Sequence, residues 1–205
     1  MKALLINTSP HEKGCTFTAL SIIAKELEQN NIETEIVHIG NKDIRGCIAC
    51  DKCKELGKCV FDDVVNQVAR TFEISDGIVI GTPVYYASAN GSAITFLDRL
   101  FHSVRSSKRM KVGAAISSAR RAGTTATLDL LNKYFLLSEM PVASSCYWNM
   151  VHGNTPEEVL KDEEGLQIMR VLGRNMAFLI KAINAQKENE GLPEQEQRVR
   201  TNFIR

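Results

Sequence analysis

The sequence lacks an excess of either charge: 25 Lys and Arg stand against 24 Asp and Glu. Such a chain carries no global field to draw in nucleic acid or a membrane surface. Its densest basic run, Lys108-Arg109-Met110-Lys111, is too short for a nucleic-acid stripe. No window approaches the ~20 apolar residues of a membrane span. Only Lys2 precedes the first apolar run, and no small-residue cleavage site follows, so no signal peptide is read. Repeats and low-complexity tracts are absent. So is the Gly-x-Gly-x-x-Gly dinucleotide fingerprint. His11, His38 and His102 have no spacing for a metal or a triad, and no Ser–His–Asp logic suggests a hydrolase. The six cysteines are therefore expected in a reducing cytoplasm, where metal or redox chemistry is commoner than structural disulfides.

What is present begins with a strand, a loop and a helix start. Residues 3–7 form a short apolar run suited to a buried strand. Residues 8–14 break it with Ser9, Pro10 and Gly14, and a helical pattern starts near Thr16. Hydroxyls and a glycine at a helix N-terminus suit an anion, because free N–H groups and the helix dipole both favour negative charge there. An ordinary capped turn has the same composition.

Further strands are expected at 33–39, 77–81, 111–117 and 141–147, with helices between them and a last helical region starting at Thr155-Pro156 and running to about 186. Cys146 falls in the expected fifth strand as a small buried hydrophobe. Alternating apolar strands and helices imply an α/β fold, with a parallel sheet covered on both faces. Five strands suit the flavodoxin-like order 2-1-3-4-5, a three-layer α/β/α sandwich. The domain is expected over 1–186, with the cysteine-rich segment 46–60 inserted after the second strand and a polar tail over 187–205. Ligands of such sheets bind at the switch point, beside the loops after the first and third strands.

The loop after the third strand runs Gly81-Thr82-Pro83-Val84-Tyr85-Tyr86-Ala87-Ser88-Ala89-Asn90-Gly91. A rigid turn with two aromatics can lie against a flat ring and read its polar edge through backbone groups. The loop after the fourth strand, Ser117 to Thr124, adds hydroxyls, Arg120, Arg121 and Gly123. Trp148 and His152 follow the fifth strand, suited either to covering a ligand or to packing a subunit contact.

Three pieces carry a family resemblance: Ser9-Pro10-x-x-x-Gly14-x-Thr16; Gly81-Thr82-Pro83-Val84-Tyr85-Tyr86 with Gly91 and Phe96-x-Asp98-Arg99; and Arg120-x-x-Gly123-Thr124. In this order the chain resembles the NAD(P)H-dependent FMN reductases and, among them, the iron–sulfur flavoproteins. The resemblance implies non-covalent FMN, with its phosphate on Ser9, Gly14, Cys15, Thr16 and Thr18. It places the ring against Pro83, Val84, Tyr85 and Tyr86, with Ser88, Ser117, Arg120 and Gly123 completing the cofactor set. A homodimer or homotetramer is implied, with the flavin near a subunit contact. Cys15 stands where the family has Asn, and Thr95 replaces a common Lys. Without a dinucleotide fingerprint, NAD(P)H must visit the flavin face transiently.

Residues 46–59 spell C-x2-C-x2-C-x5-C through Cys47, Cys50, Cys53 and Cys59. Four thiolates are the ligand set of a [4Fe–4S] cluster, and the spacing is that of the iron–sulfur flavoproteins. Zinc is held equally well by four sulfurs, although zinc ribbons split their ligands into distant pairs. A cluster-free redox thiol or disulfide is the third occupancy. The reading is a cytoplasmic FMN oxidoreductase moving electrons from NAD(P)H to a quinone, nitro compound, flavin or protein, with the flavin rather than a side chain carrying the chemistry. Its rivals are a non-enzymatic electron carrier fed by a ferredoxin-like donor and a thiol-based redox sensor.

Overall fold

The computed structural model of the protein describes residues 1–201 and 203. Strands are β1 (Lys2–Asn7), β2 (Glu33–His38), β3 (Gly77–Tyr85), β4 (Ser88–Ala89), β5 (Val112–Ala119) and β6 (Met150–His152). Helices are α1 (Cys15–Gln29), α2 (Cys53–Leu56), α3 (Val64–Ile74), α4 (Gly91–Ser103), α5 (Thr124–Leu137), α6 (Pro156–Val159) and α7 (Glu163–Asn189). The sheet order is β2-β1-β3-β5-β6, all parallel, with β4 folded back antiparallel on β3. Setting that hairpin aside, this is the expected flavodoxin-like order. No helix among the described residues is long and apolar enough to cross a membrane.

Successive strand residues point to opposite faces, and both faces are covered. Ala3, Leu5, Val79, Ala114 and Ile116 pack under α1 and α7. Leu4, Ile6, Ile78, Ile80 and Ala115 pack under α3, α4 and α5. Each such Leu or Ile, fully buried, contributes roughly 1.5–3 kcal/mol, and this two-sided burial makes the strands read as continuous apolar runs.

The edge strand differs from expectation. Only Val142 of residues 141–147 bridges β5, opposite Gly113. The chain then leaves the sheet and returns as β6, paired with Ser117, Ser118 and Ala119. An edge position needs pairing on one side only, so it tolerates the excursion. Cys146, expected to be buried, is carried out to solvent. The last helical region breaks at 160–162 and restarts at Asp162, whose carboxylate caps α7 through Gly165 N–H. α7 runs three residues past the expected end at 186. Of the tail expected over 187–205, residues 202, 204 and 205 lie outside the described residues.

Candidate active site and cysteine pocket

Four loops meet at the carboxyl edge of the sheet around a cleft of about 830 Å³, within the range of cofactor sites. The first loop is shaped by its own polar groups. Buried Asn7 accepts from Ser9 N–H (3.0 Å) through Oδ1 and donates to Glu12 C=O (2.9 Å) through Nδ2. Ser9 Oγ accepts from His11 N–H, and Gly14 N–H donates to His11 C=O. Gly14 is the N-cap of α1 and has no side-chain cap. The N–H groups of the first turn, from Cys15 to Phe17, therefore lack an intrahelical partner, and Cys15 and Thr16 line the cleft.

The second loop is a hairpin, with Val84 opposite Ala89 and Tyr85 opposite Ser88. Tyr86, at φ 56°, stands fully exposed at its tip. The third loop closes against it at Gly123 (φ 91°), where a Cβ would sit 2.7 Å from Val84 Cγ1 and 3.2 Å from Ala87 Cα. Thr16 Oγ1 and Ser118 Oγ bond at 2.8 Å, tying α1 to the end of β5. The fourth loop, Gly153 to Pro156, lines the same cleft.

Of the residues singled out by sequence, Ser9, Gly14, Cys15, Thr16, Pro83, Val84, Tyr85 and Arg120 line the cleft together. Thr18, Tyr86, Ser88, Ser117 and Gly123 lie outside its lining. Thr18 Oγ1 donates back to Gly14 C=O within the helix. Ser117 Oγ is buried and has no hydrogen-bond partner among the described residues. Cys15 Sγ turns away to donate to Gly153 C=O at 3.6 Å. Burial pushes the Cys15 thiol up, and Glu158 and Glu157 push it the same way. It stays a neutral thiol at pH 7, so only its backbone N–H is offered to an anion.

His11, Lys13, Ser118 and the stretch 154–156 line the cleft without having been singled out as cofactor ligands. His11, Lys13 and Ser118 fall within loops that the sequence marks as ligand-binding, whereas 154–156 carries only the Thr155-Pro156 helix start as a signal. Trp148 pairs instead with Tyr147, ring centroids 4.8 Å apart, over a separate cavity beside α5.

Asn90 holds the first two loops together. Its Nδ2 donates to Thr8 C=O at 2.6 Å, and its Oδ1 accepts from Thr8 Oγ1, from Thr82 Oγ1 and from Ala93 N–H. It is at once the N-cap of α4 and the bridge between β1 and β3. Asn90→Ala is expected to lower the unfolding free energy by about 2–3 kcal/mol, combining a lost cap with stranded buried partners. Urea denaturation reads this as a lower midpoint at the same slope; an unmoved midpoint would contradict the bridging role.

The cysteine segment forms a second centre. Cys47, Cys50, Cys53 and Cys59 all line one small cavity with Ile48, Phe61, Arg99 and His102. All four are free thiols. Cys47 and Cys50 are exposed on a turn in which Ala49 and Asp51 adopt φ 52° and 57°. Cys53 is buried at the first position of α2, where burial pushes its thiol up. Cys59 is fixed by Asn66, which accepts from its N–H and donates to its C=O, both at 3.0 Å. Among the described residues no three His, Cys, Asp or Glu side chains are grouped to hold one metal ion. A zinc site needs its sulfurs at about 2.3 Å from a single centre. Four thiols lining one cavity offer an all-sulfur donor set, which either a [4Fe–4S] cluster or zinc accepts.

Known proteins resemble this chain in sequence and in fold. Residues 1–155 match the family model described as NADPH-dependent FMN reductase. An iron-sulfur flavoprotein of Methanocaldococcus jannaschii is 29% identical over 191 residues, covering 89% of this chain and 99% of the relative. Among solved structures, RosB with a bound 8-demethyl-8-formylriboflavin-5'-phosphate intermediate superposes with a TM-score of 0.71 at 16% identity, over 100% of this chain and 92% of RosB. A flavodoxin from the domain Archaea superposes at 0.61 with 17% identity, over 88% and 99% of the two chains.

Proposed function

The chain belongs to the family of NADPH-dependent FMN reductases, and from that premise we propose that this FMN oxidoreductase moves electrons from NAD(P)H to a quinone, nitro compound, free flavin or protein, with a [4Fe–4S] cluster on Cys47, Cys50, Cys53 and Cys59. When bound, FMN supplies the exchange between two-electron and one-electron chemistry. The observation that carries the reading is the helix α1, which opens uncapped into a roomy cleft walled by four loops.

The residues then divide the work of binding. The first-turn N–H groups of α1, with Ser9 and Thr16, take the anionic tail, helped by the helix dipole. Pro83, Val84 and Tyr85 offer one wall for a planar ring, and Arg120 and Ser118, the latter beside Pro83 in the sheet, line the same cleft. Arg120 places a cation where negative charge would build on a reduced ring. The exposed Tyr85, Tyr86, Tyr147 and Trp148 favour a homodimer or homotetramer around this edge.

The exposure of Cys47 and Cys50 keeps the electron-carrier reading alive, because a surface thiol pair suits delivery from a ferredoxin-like donor. One anaerobic series separates the readings. After reconstitution with FMN, iron and sulfide, the visible spectrum and iron content are recorded, NADPH or NADH is added, and the mass in solution is measured by sedimentation. Rapid flavin bleaching is the expected result. A flavin reduced only by a ferredoxin-like donor would replace the enzyme with the carrier. Protein that takes up no FMN would overturn both.

A further inference from the structure

Arg99 is the largest fully buried side chain among the described residues, with 1% of its surface exposed. A buried cation must be paired or its desolvation is prohibitive. All five guanidinium N–H groups find acceptors. Nη1 donates to Arg45 C=O (3.1 Å) and Asp63 Oδ2 (2.6 Å). Nη2 donates to Phe61 C=O (3.2 Å) and Asp63 Oδ1 (2.9 Å). Nε donates to Cys59 Sγ (3.4 Å).

Two features set this apart from an ordinary buried ion pair. The carbonyls of residues 45 and 61 stand on either side of the cysteine segment, and one guanidinium holds both. The Phe61 ring is also flanked by two guanidinium groups, Arg45 at 5.0 Å and Arg99 at 5.1 Å from its centroid. The neck of the segment is therefore closed from α4, far along the chain. The remaining donor is aimed at a sulfur. A neutral thiol is a weak acceptor, whereas a sulfur carrying negative charge is a strong partner for a cation. Asp63, bound in bidentate fashion, occupies Nη1 and Nη2 and leaves the Nε–H to the Cys59 sulfur.

We propose that Arg99 is a positioning residue for the cysteine centre: its Nε–H holds the Cys59 sulfur as a ligand, and its buried charge raises the reduction potential of the iron–sulfur group bound there. The proposal rests on the reading that the four cysteines hold such a group. Hydrogen bonds to ligand sulfurs and local net charge are among the factors that set cluster potentials.

The test uses the full chain, reconstituted anaerobically with FMN, iron and sulfide, as wild type, R99K and R99Q. Iron and FMN per chain are assayed, and the midpoint potential of the iron signal is followed by EPR-monitored titration. R99Q is expected to shift the oxidised-to-reduced ratio at a fixed poise at least tenfold toward the oxidised form. That corresponds to about 59 mV for one electron. R99K, which keeps a cation without the Nε–H bond, is expected to shift it less. FMN per chain should stay at the wild-type value, reporting an intact fold. An R99Q protein that loads iron with the wild-type potential would overturn the proposal alone. A wild-type protein that takes up no iron would overturn the four-cysteine reading, and this proposal with it. If neither variant folds, pulsed EPR of reduced wild-type protein carrying guanidino-15N-arginine decides. A nitrogen coupling at the cluster supports the role of Arg99, and its absence overturns it.

Discussion

Replacing Gly40 with alanine is expected to weaken FMN binding roughly thirtyfold, although Gly40 does not line the cleft. The glycine follows the end of β2, where Ile39 N–H donates to Asn7 C=O at 2.9 Å. There the backbone passes directly behind the phosphate loop. A Cβ at position 40 would lie 1.9 Å from Ser9 O, 2.2 Å from Ser9 C and 2.4 Å from Thr8 O. These are backbone atoms, and no rotamer change relieves the overlap. His38 Nε2 holds the same Ser9 oxygen at 2.7 Å from the neighbouring position, so the loop cannot shift sideways. It must move into the cleft. Overpacking of this kind costs about 2 kcal/mol, and carried into the binding equilibrium this is about a thirtyfold rise in Kd. Quenching of FMN fluorescence on titration with apoprotein measures it. Gly113→Ala is the control, because its added Cβ would meet the Phe135 ring at 2.5 Å, inside the helical layer and away from the cleft. It should lower stability and leave the Kd unchanged. A Gly40→Ala protein with the wild-type Kd would remove the second strand from any part in shaping the phosphate loop.

Changing Cys53 and Cys59 to serine together should abolish iron binding and leave FMN binding intact. These two are the anchored half of the cysteine set. Cys53 is held in the first turn of α2, packed against α4 with its Sγ 3.9 Å from His102 C=O. Cys59 is held by Asn66 and Arg99. Cys47 and Cys50 lie on the exposed turn and can adjust around an incoming group; the anchored pair cannot be replaced by that movement. Serine preserves the shape and removes the soft thiolate that iron–sulfur chemistry requires. The expected readout is iron at background, loss of the broad visible absorption and survival of the flavin bands. Iron retained at the wild-type level would show that other groups hold it. Loss of FMN along with the iron would show that the two centres are not separate sites.

The local sequence carried much of this architecture. Residues 3–7, 77–81 and 111–117 are apolar on both faces because helices cover both sides of the sheet, and that burial is legible as an unbroken run. Gly14 with its hydroxyl neighbours marked the start of α1, and the spacing of Cys47, Cys50, Cys53 and Cys59 marked the second centre, since both signals lie within a dozen or so residues. The third strand runs past its expected end at 81 although Thr82-Pro83-Val84-Tyr85 has turn composition; it stays in register with β5 as far as Pro83 opposite Ser118. The edge strand was misplaced because residues 141–147 have strand composition, while pairing with β5 decides where the strand lies.

Period and spacing determined the alternating parallel fold, left few orders for its strands, and marked the two segments proposed here as chemical centres. Contacts between residues far apart in the chain decided the rest. Asn90 bridges to Thr8 across 82 positions, Arg99 reaches Cys59 across 40, and the stretch 153–156 joins a cleft begun at Ser9. A side chain's local pattern reports which face of its own element it occupies. It does not report which distant backbone will arrive opposite, because chain packing in three dimensions sets that partner.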